Sequence, residues 1–305
     1  MIHRPDDLDI KIFKELGNPN SLQWNVRESY SSIAERLGID DETVRRRLKR
    51  AERLGSIPGW RMMVNPRLIE CRAANIYFEI KEENGKSDII DELRGMDGIV
   101  KILNFHGDKL LLTLYYQDVN SLKSKVNRIV SISDSSNPAV WELVFPEPQI
   151  RTTATDWRII ASMLEDARRS LKGISESVGL SVRTVERRLN ELTESHAVYL
   201  QGTPNFSKIA GLSCVFIVFC SEETEKRTVD RTILSRVRRI ELANTGPGHY
   251  STFVTLFDNL AESDDFISWI NGLEGVKSVS MGIMKDLIVL QKWMQDEISK
   301  RQVAK

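Results

Sequence analysis

The hydrophobic positions of this chain switch between two periods, and the switch happens twice. Leu8, Ile12, Phe13 and Leu16 recur at helical spacing, as do Ile33, Ala34 and Leu37, and then Val44, Leu48, Ala51 and Leu54. Gly38 and Gly55 fall just past the second and third stripes, where a residue without Cβ suits a left-handed turn. Asp40 stands where a side-chain oxygen caps the third helix. The next stretch, Ile57–Val64, reads as a two-stranded wing. Beyond it the period shortens to that of half-buried strands. The pattern predicts a strand over Ala73–Ile80, a helix over Asp88–Leu93 and strands over Val100–Phe105 and Leu110–Tyr116, joined at His106, Gly107 and Asp108. A helix over Val119–Val130 and a strand over Ala139–Phe145 follow. A short helix, a turn with glycine and a longer basic helix make a helix-turn-helix, and strand–helix–strand–strand–helix–strand is the ferredoxin-like order.

The plan then repeats. Ile33–Leu48 aligns without a gap on Ile174–Leu189 at an offset of 141, matching Ile, Glu, Gly, Thr, Val, Arg, Arg and Leu. The same offset carries Ala73–Glu79 onto Cys214–Cys220, Gly107 onto Gly248, and Lys109–Tyr116 onto Tyr250–Phe257. One constant register across a helical and several strand segments points to duplication. The first helix, Leu8–Leu16, fits Thr155–Met163 at a larger offset, which places six extra residues in the first copy's Gly17–Ser29 loop. The expected fold is therefore α+β, two tandem units each made of a winged helix-turn-helix and a ferredoxin-like (βαββαβ) domain. Their expected bounds are 1–66 and 70–148, then 152–206 and 212–292, with a tail over 293–305. Pro146-Glu147-Pro148 reads as a stiff linker between the units.

Charge matters here by its distribution. The chain carries 43 basic and 43 acidic residues, so any contact with nucleic acid must be a local patch. The third helix of the first unit, Asp41–Leu54, holds a net charge of +3; its counterpart Val182–Glu194 is neutral. Basic side chains release phosphate counterions, and arginine also reads guanine with its fork of donors. Thr43, Arg45, Arg46, Lys49 and Arg50 are the expected DNA contacts of the first unit, and Arg183, Thr184 and Arg187 those of the second. The threonine hydroxyls lie near helix N-termini, where phosphate is favoured. Arg47 and Arg188 suit pairing with carboxylates inside their own domains equally well, and a solvated helix face stays open as the plainer reading of the stripe.

Other chemistry is sparsely represented. Cys71, Cys214 and Cys220 show neither disulfide nor zinc spacing, and His3, His106, His196 and His249 show no ligand spacing. No nucleophile motif or phosphate loop is visible. Neither a catalytic residue, a metal nor a cofactor is therefore expected. The N-terminus lacks the apolar stretch of a signal peptide, and the apolar runs are of strand length, so a soluble cytoplasmic protein with no membrane partner is expected. Trp60 and Trp293 are assigned to core packing.

The stretches Leu8-Asp9-x-x-Ile12, Ser32–Ile39 and Thr43–Arg50, with the ferredoxin-like domain behind them, resemble the leucine-responsive regulator/AsnC family of transcription regulators. The likeness runs through nearly the whole chain, twice. It implies a DNA-binding regulator that pairs through its ferredoxin-like domains, so that this chain is a covalent pseudo-dimer able to associate further as a homodimer. It also implies a small-molecule effector at the turn before the third strand of that domain, at Gly107, Asp108, Gly248 and Tyr250. The family's Gly-x-Tyr-Asp is incomplete there: the first copy has Gly107-Asp108-Lys109-Leu110 and the second Gly248-His249-Tyr250-Ser251. Two hairpin turns needing positive φ are the plainer account of the glycines. The architecture also resembles sirohaem decarboxylase subunits, with His106 at a comparable place but Asp108-Lys109 where Tyr-Asn stands in those enzymes. A partner scaffold whose helices no longer touch DNA is the third reading.

Overall fold

The computed structural model describes residues 2–18, 23–81, 85–236, 240–244 and 248–303. The first unit opens with α1 (Asp7–Glu15), whose N-cap Asp6 and N3 residue Asp9 form a reciprocal capping box. A minimal hairpin, β1 (Gly17–Asn18) with β2 (Gln23–Trp24), occupies the loop where extra residues were expected. Next come α2 (Tyr30–Leu37), closed by Gly38 at φ 66°, and α3 (Asp41–Leu54), capped by Asp40 and closed by Gly55 at φ 72°. The second unit repeats this as α6 (Ala154–Met163), α7 (Leu171–Val178) and α8 (Val182–Glu194), with Thr153, Ser170 and Ser181 as caps. The Asp40 cap was legible because it depends on a few consecutive residues.

The wings depart from expectation. Only one strand follows each third helix: β3 (Gly59–Val64) and β8 (Val198–Thr203). Eight residues cannot supply two strands and a turn of useful length, so each strand finds its partner in the other unit. β3 and β8 pair antiparallel from Gly59↔Thr203 to Val64↔Val198. One continuous core results, holding Ile33, Val44 and Leu48 of the first unit with Ile160, Ile174 and Leu189 of the second. The two helix-turn-helices are thus a single body. Trp60 lies in that core, and Trp293, half-buried, packs its ring edge-on to Tyr115 at 6.2 Å.

Both ferredoxin-like domains form as expected. The first is β4 (Arg72–Glu79), α4 (Lys86–Arg94), β5 (Ile99–Phe105), β6 (Lys109–Tyr116), α5 (Val119–Ser133) and β7 (Ala139–Leu143). The second is β9 (Leu212–Cys220), α9 (Glu223–Arg236), β10 (Ile240–Asn244), β11 (Tyr250–Phe257), α10 (Leu260–Asn271) and β12 (Val276–Val289). Their strands join in one sheet, ordered β10-β11-β9-β12-β5-β6-β4-β7. The joint is β12, whose first part pairs with β9 and whose Met284–Val289 pairs with β5. In the first unit the equivalent extension of β7 meets Pro146 and Pro148, which lack the N–H a ladder needs. The sheet also folds back on itself. Phe105 and Leu111 pack against Val215, Ile217 and Val254, and the Trp141 and Tyr250 rings stack at 4.8 Å.

One detail of the repeat is corrected by the sheet. Ile76 faces its helices opposite Leu112, and Phe216 does so opposite Phe253. The first strands therefore correspond at an offset of 140. The alignment at 141 would put core residues on the wrong face, because side chains alternate with period two. The stretch expected as a tail is also ordered: α11 (Lys292–Val303) buries Met294 and Ile298 and packs on α6. Among the described residues no helix is long and apolar enough to cross a membrane.

Candidate nucleic-acid interface

Val44, Leu48 and Ala51 are buried and fix one side of α3 against the shared core. The opposite side then presents Arg45, Arg46, Lys49, Arg50 and Arg53, all exposed. Among the described residues, Lys49, Arg50 and Arg53 have no hydrogen bond or ion pair. Arg46 is held only by a long contact, 3.4 Å, from its Nη2 to Thr43 Oγ1. Arg45 sits 3.4 Å from Glu42 and 5.8 Å from the centre of the Tyr30 ring. An open depression of about 860 Å³ runs along this side, lined by Arg46, Arg47, Lys49, Arg50 and Arg53 together with Glu42 and Glu52.

The remaining arginine of α3, Arg47, is half-buried and paired within the domain. Arg47 Nη1 donates to both Asp6 oxygens at 2.7 Å and to Asp9 Oδ1 at 2.9 Å. Asp9 is almost fully buried, and its Oδ2 lies 3.6 Å from Nε2 of the buried His3. Burial works to raise the Asp9 carboxyl, but the contacts with His3 and Arg47 outweigh it and hold the group down at about 2. His3 Nδ1 in turn meets Ser56 Oγ at 2.7 Å, just beyond the end of α3. Arg188 takes the place of Arg47 in the second unit, 3.7 Å from the buried Asp156.

On α8 the basic groups are fewer and partly engaged. Arg187 pairs with Glu191 at 2.6 Å, and Arg183 alone is exposed without a partner among the described residues. The two threonines serve their helix caps. Thr43 Oγ1 donates to Asp40 at 2.8 Å, and Thr184 Oγ1 lies 2.8 Å from Ser181 Oγ. Their position at the helix starts is as expected, but the Thr43 hydroxyl proton is committed to the cap rather than free for a phosphate.

The other expected residues lie far along the chain, on the ferredoxin-like hairpins. Gly107 at φ 78° and Gly248 at φ 94° occupy turn positions, and a Cβ there would meet nothing within 4 Å. The turn at Gly107 is fastened from below. Buried Lys86 donates to the carbonyls of Phe105, Gly107 and Lys109 at 2.7 to 2.9 Å. Asp108 contributes its carbonyl to Ile80 N. Tyr250 stacks between Trp141 and Phe219, which commits its ring to packing between the halves. Among the described residues no group of histidine, cysteine and acidic side chains is placed to hold a metal.

Sequence reading missed the residues that lock the two heads together. Arg168, in the turn after α6, lies 4.2 Å over the Trp60 ring and 3.4 Å from Glu52 of α3, and donates to Val26 O at 2.9 Å. Arg27 answers it by donating to the carbonyls of Ala167 and Arg169. No periodicity marks such loop residues, and their partners are over 100 positions away.

The geometry defines a class: two helix-turn-helix heads fused into one body and carried on a folded pair of ferredoxin-like domains. Residues 5–57 and 152–198 match the family of winged helix-turn-helix DNA-binding domains. The HTH-type transcriptional regulator Ptr1 of Methanocaldococcus jannaschii is 28% identical over 103 residues, which are 34% of this chain and 66% of that protein. The leucine-responsive regulatory protein of Haemophilus influenzae is 32% identical over 87 residues, 28% of this chain and 48% of its own. The chain thus spans about half to two thirds of the length of these curated relatives. A solved siroheme decarboxylase, NirDL, is similar in fold over 97% of this chain and 99% of its own, with a TM-score of 0.56 at 14% identity. Over part of its length the chain is thus similar to these regulators, and its structure presents the unit of helix-turn-helix and ferredoxin-like domain twice.

Proposed function

We propose that this protein is a sequence-specific DNA-binding transcription regulator in which α3 is the principal reader. The observation that carries this reading is the exposed, largely unpaired row of Arg45, Arg46, Lys49, Arg50 and Arg53 on a helix whose other side is locked. An internal pairing role accounts for Arg47 and Arg188 but leaves this row unexplained. The two curated relatives are named as transcription regulators, which supports the same reading. α8, with Arg183, Thr184 and Arg187, contributes a weaker contact. A small-molecule effector at Gly107, Asp108, Gly248 and Tyr250 and further association of two chains are part of the proposal. The fold shared with the decarboxylase gives the second reading, a tetrapyrrole enzyme.

The test is binding of genomic DNA fragments by the whole chain at 50 and 200 mM salt, beside Arg45→Ala/Arg46→Ala. A face giving about four phosphate contacts should lose about 100-fold in affinity over that range. The double variant should lose most of the selective binding while its thermal midpoint stays unchanged. Absence of binding at 50 mM salt sinks the regulator, and a tetrapyrrole absorbance band on titration would then favour the enzyme.

A further inference from the structure

The helices of the two ferredoxin-like domains lie on opposite outer sides of the molecule. Phe105 and Leu111 of one half-sheet meet Val215 and Ile217 of the other, and these side chains fill the space between the halves. Side chains alternate along a strand, so Leu110 and Leu112 turn the other way, to Ile90 and Leu93 of α4 and Ile129 of α5. Phe216 and Val218 likewise turn to Val229 and Ile233 of α9 and to Phe266 and Ile270 of α10. The pair α4 and α5 thus forms one outer layer, and the pair α9 and α10 forms the other.

The two layers are equivalent by duplication and opposite in charge. α5 carries Lys123, Lys125 and Arg128 and no acid, whereas α10 carries Glu262, Asp264 and Asp265 and no base. Lys123, Arg128, Asp264 and Asp265 are exposed, and none has a hydrogen bond or ion pair among the described residues. The neighbouring helices reverse the signs. α4 exposes Asp88, Asp91 and Glu92, of which Asp91 is paired with Arg94 at 3.2 Å. α9 exposes Arg227, Arg231 and Arg236, with Glu223 3.9 Å from Arg227. Over both helices the first layer holds five basic and three acidic residues and the second four and six, so like layers repel and unlike layers attract. The first residues of α5 and α10, Val119 and Leu260, are each 54% exposed and give both layers an apolar contact point.

Isolated exposed ion pairs contribute little, but rows of unlike charge on two surfaces steer their encounter and fix its register. Laying α5 on the α10 of another chain sets α4 on that chain's α9, so every helix meets the opposite sign. We infer that the α4–α5 layer of one chain docks on the α9–α10 layer of a second copy, α5 against α10. Because the layers look away from each other, each added chain leaves one of each kind free, and the contact propagates in a row. The inference names a surface for the further association proposed above and rests on that part alone; α3 lies outside it.

Sedimentation velocity on the whole chain tests this over a series of protein concentrations at about 50 and 500 mM salt, where screening differs severalfold. At low salt the mass should climb past the dimer with concentration, and at high salt the association constant should fall about tenfold or more. Lys123→Glu/Arg128→Glu should stay monomeric, and so should Asp264→Lys/Asp265→Lys. Glu262 is left in place because its carboxylate accepts from Asp258 N at the start of α10. Mixing the two variants should restore association, since each offers the other unlike helices. Circular dichroism, the thermal midpoint and retained DNA binding show that each variant is folded, and Arg45→Ala/Arg46→Ala should associate as the native chain does. The idea is overturned if the native chain is monomeric throughout or stops at the dimer, if salt leaves its association unchanged, if either pair of reversals has no effect, or if mixing does not restore it. Loss of association in Arg45→Ala/Arg46→Ala overturns it as well, by placing the acidic helix on α3 of another chain. Failure of the native chain to bind DNA would instead sink the regulator and leave this surface standing.

Discussion

Arg47 shows why a basic residue in a recognition helix cannot be assigned by composition. It sits in a run of three arginines, yet its guanidinium is paired with Asp6 and with the nearly inaccessible Asp9, while its neighbours are more exposed. Helical geometry decides this, because positions three and four apart share a face. Arg47 follows Val44 and precedes Leu48 on the buried side. The network it anchors has a sign that can be measured. Asp9 is held below its ordinary value of 3.8, at about 2, so it stabilises the fold above pH 3.8 and loses that contribution as the pH falls toward 2. Urea denaturation between pH 5 and 2 should show this loss in the native chain and a flatter profile in Asp9→Asn. Equal slopes would show that another group sets the acid limit. Arg47→Ala leaves a buried carboxylate uncompensated and should cost about 2–3 kcal/mol at pH 7 without the salt signature of a lost phosphate contact.

Elements were legible where their causes are local. The helices of both heads follow from apolar spacing, and the ends of those in the first head from Asp40, Gly38 and Gly55, each acting within a few residues. The ferredoxin-like order followed from alternation and turns. The wing was misread because the partner of β3 is β8, and nothing in Ile57–Val64 can say so. The double length of β12 was hidden for the same reason. Lys86 and Lys226 escaped notice although both are buried on equivalent helices, since a lysine in a polar stretch looks like surface. β12 also shows how tightly the halves are fitted. A Cβ on Gly282 would come within 2.5 Å of the Phe105 ring where the strand passes from one half to the other. Gly282→Ala should therefore destabilise the chain by about 1–3 kcal/mol, read as a lower urea midpoint. A neutral result would mean that the junction is loose enough to shift.

At the scale of the whole molecule the duplication has lost its equivalence. Both heads share one core and both sheets share one strand, but the charge lies on α3 and the extra strand pairing is made by β12 alone. Pro146 and Pro148 stop the first copy from forming the matching joint, and α11 packs on α6 of the second head while Arg301 donates to Ile69 O of the first unit. The copies thus divide the work of one assembly. The joint has a consequence for the covalent link itself. Because β12 belongs to both halves and β3 is clasped to β8, the peptide through Pro146–Pro148 contributes little to holding them together. A chain cut there by an engineered protease site should keep its mass on a sizing column and come apart only in denaturant. Two genes encoding residues 1–148 and 149–305 would then make a split protein whose pieces recognise each other, a ready-made reporter in which reassembly can be watched directly.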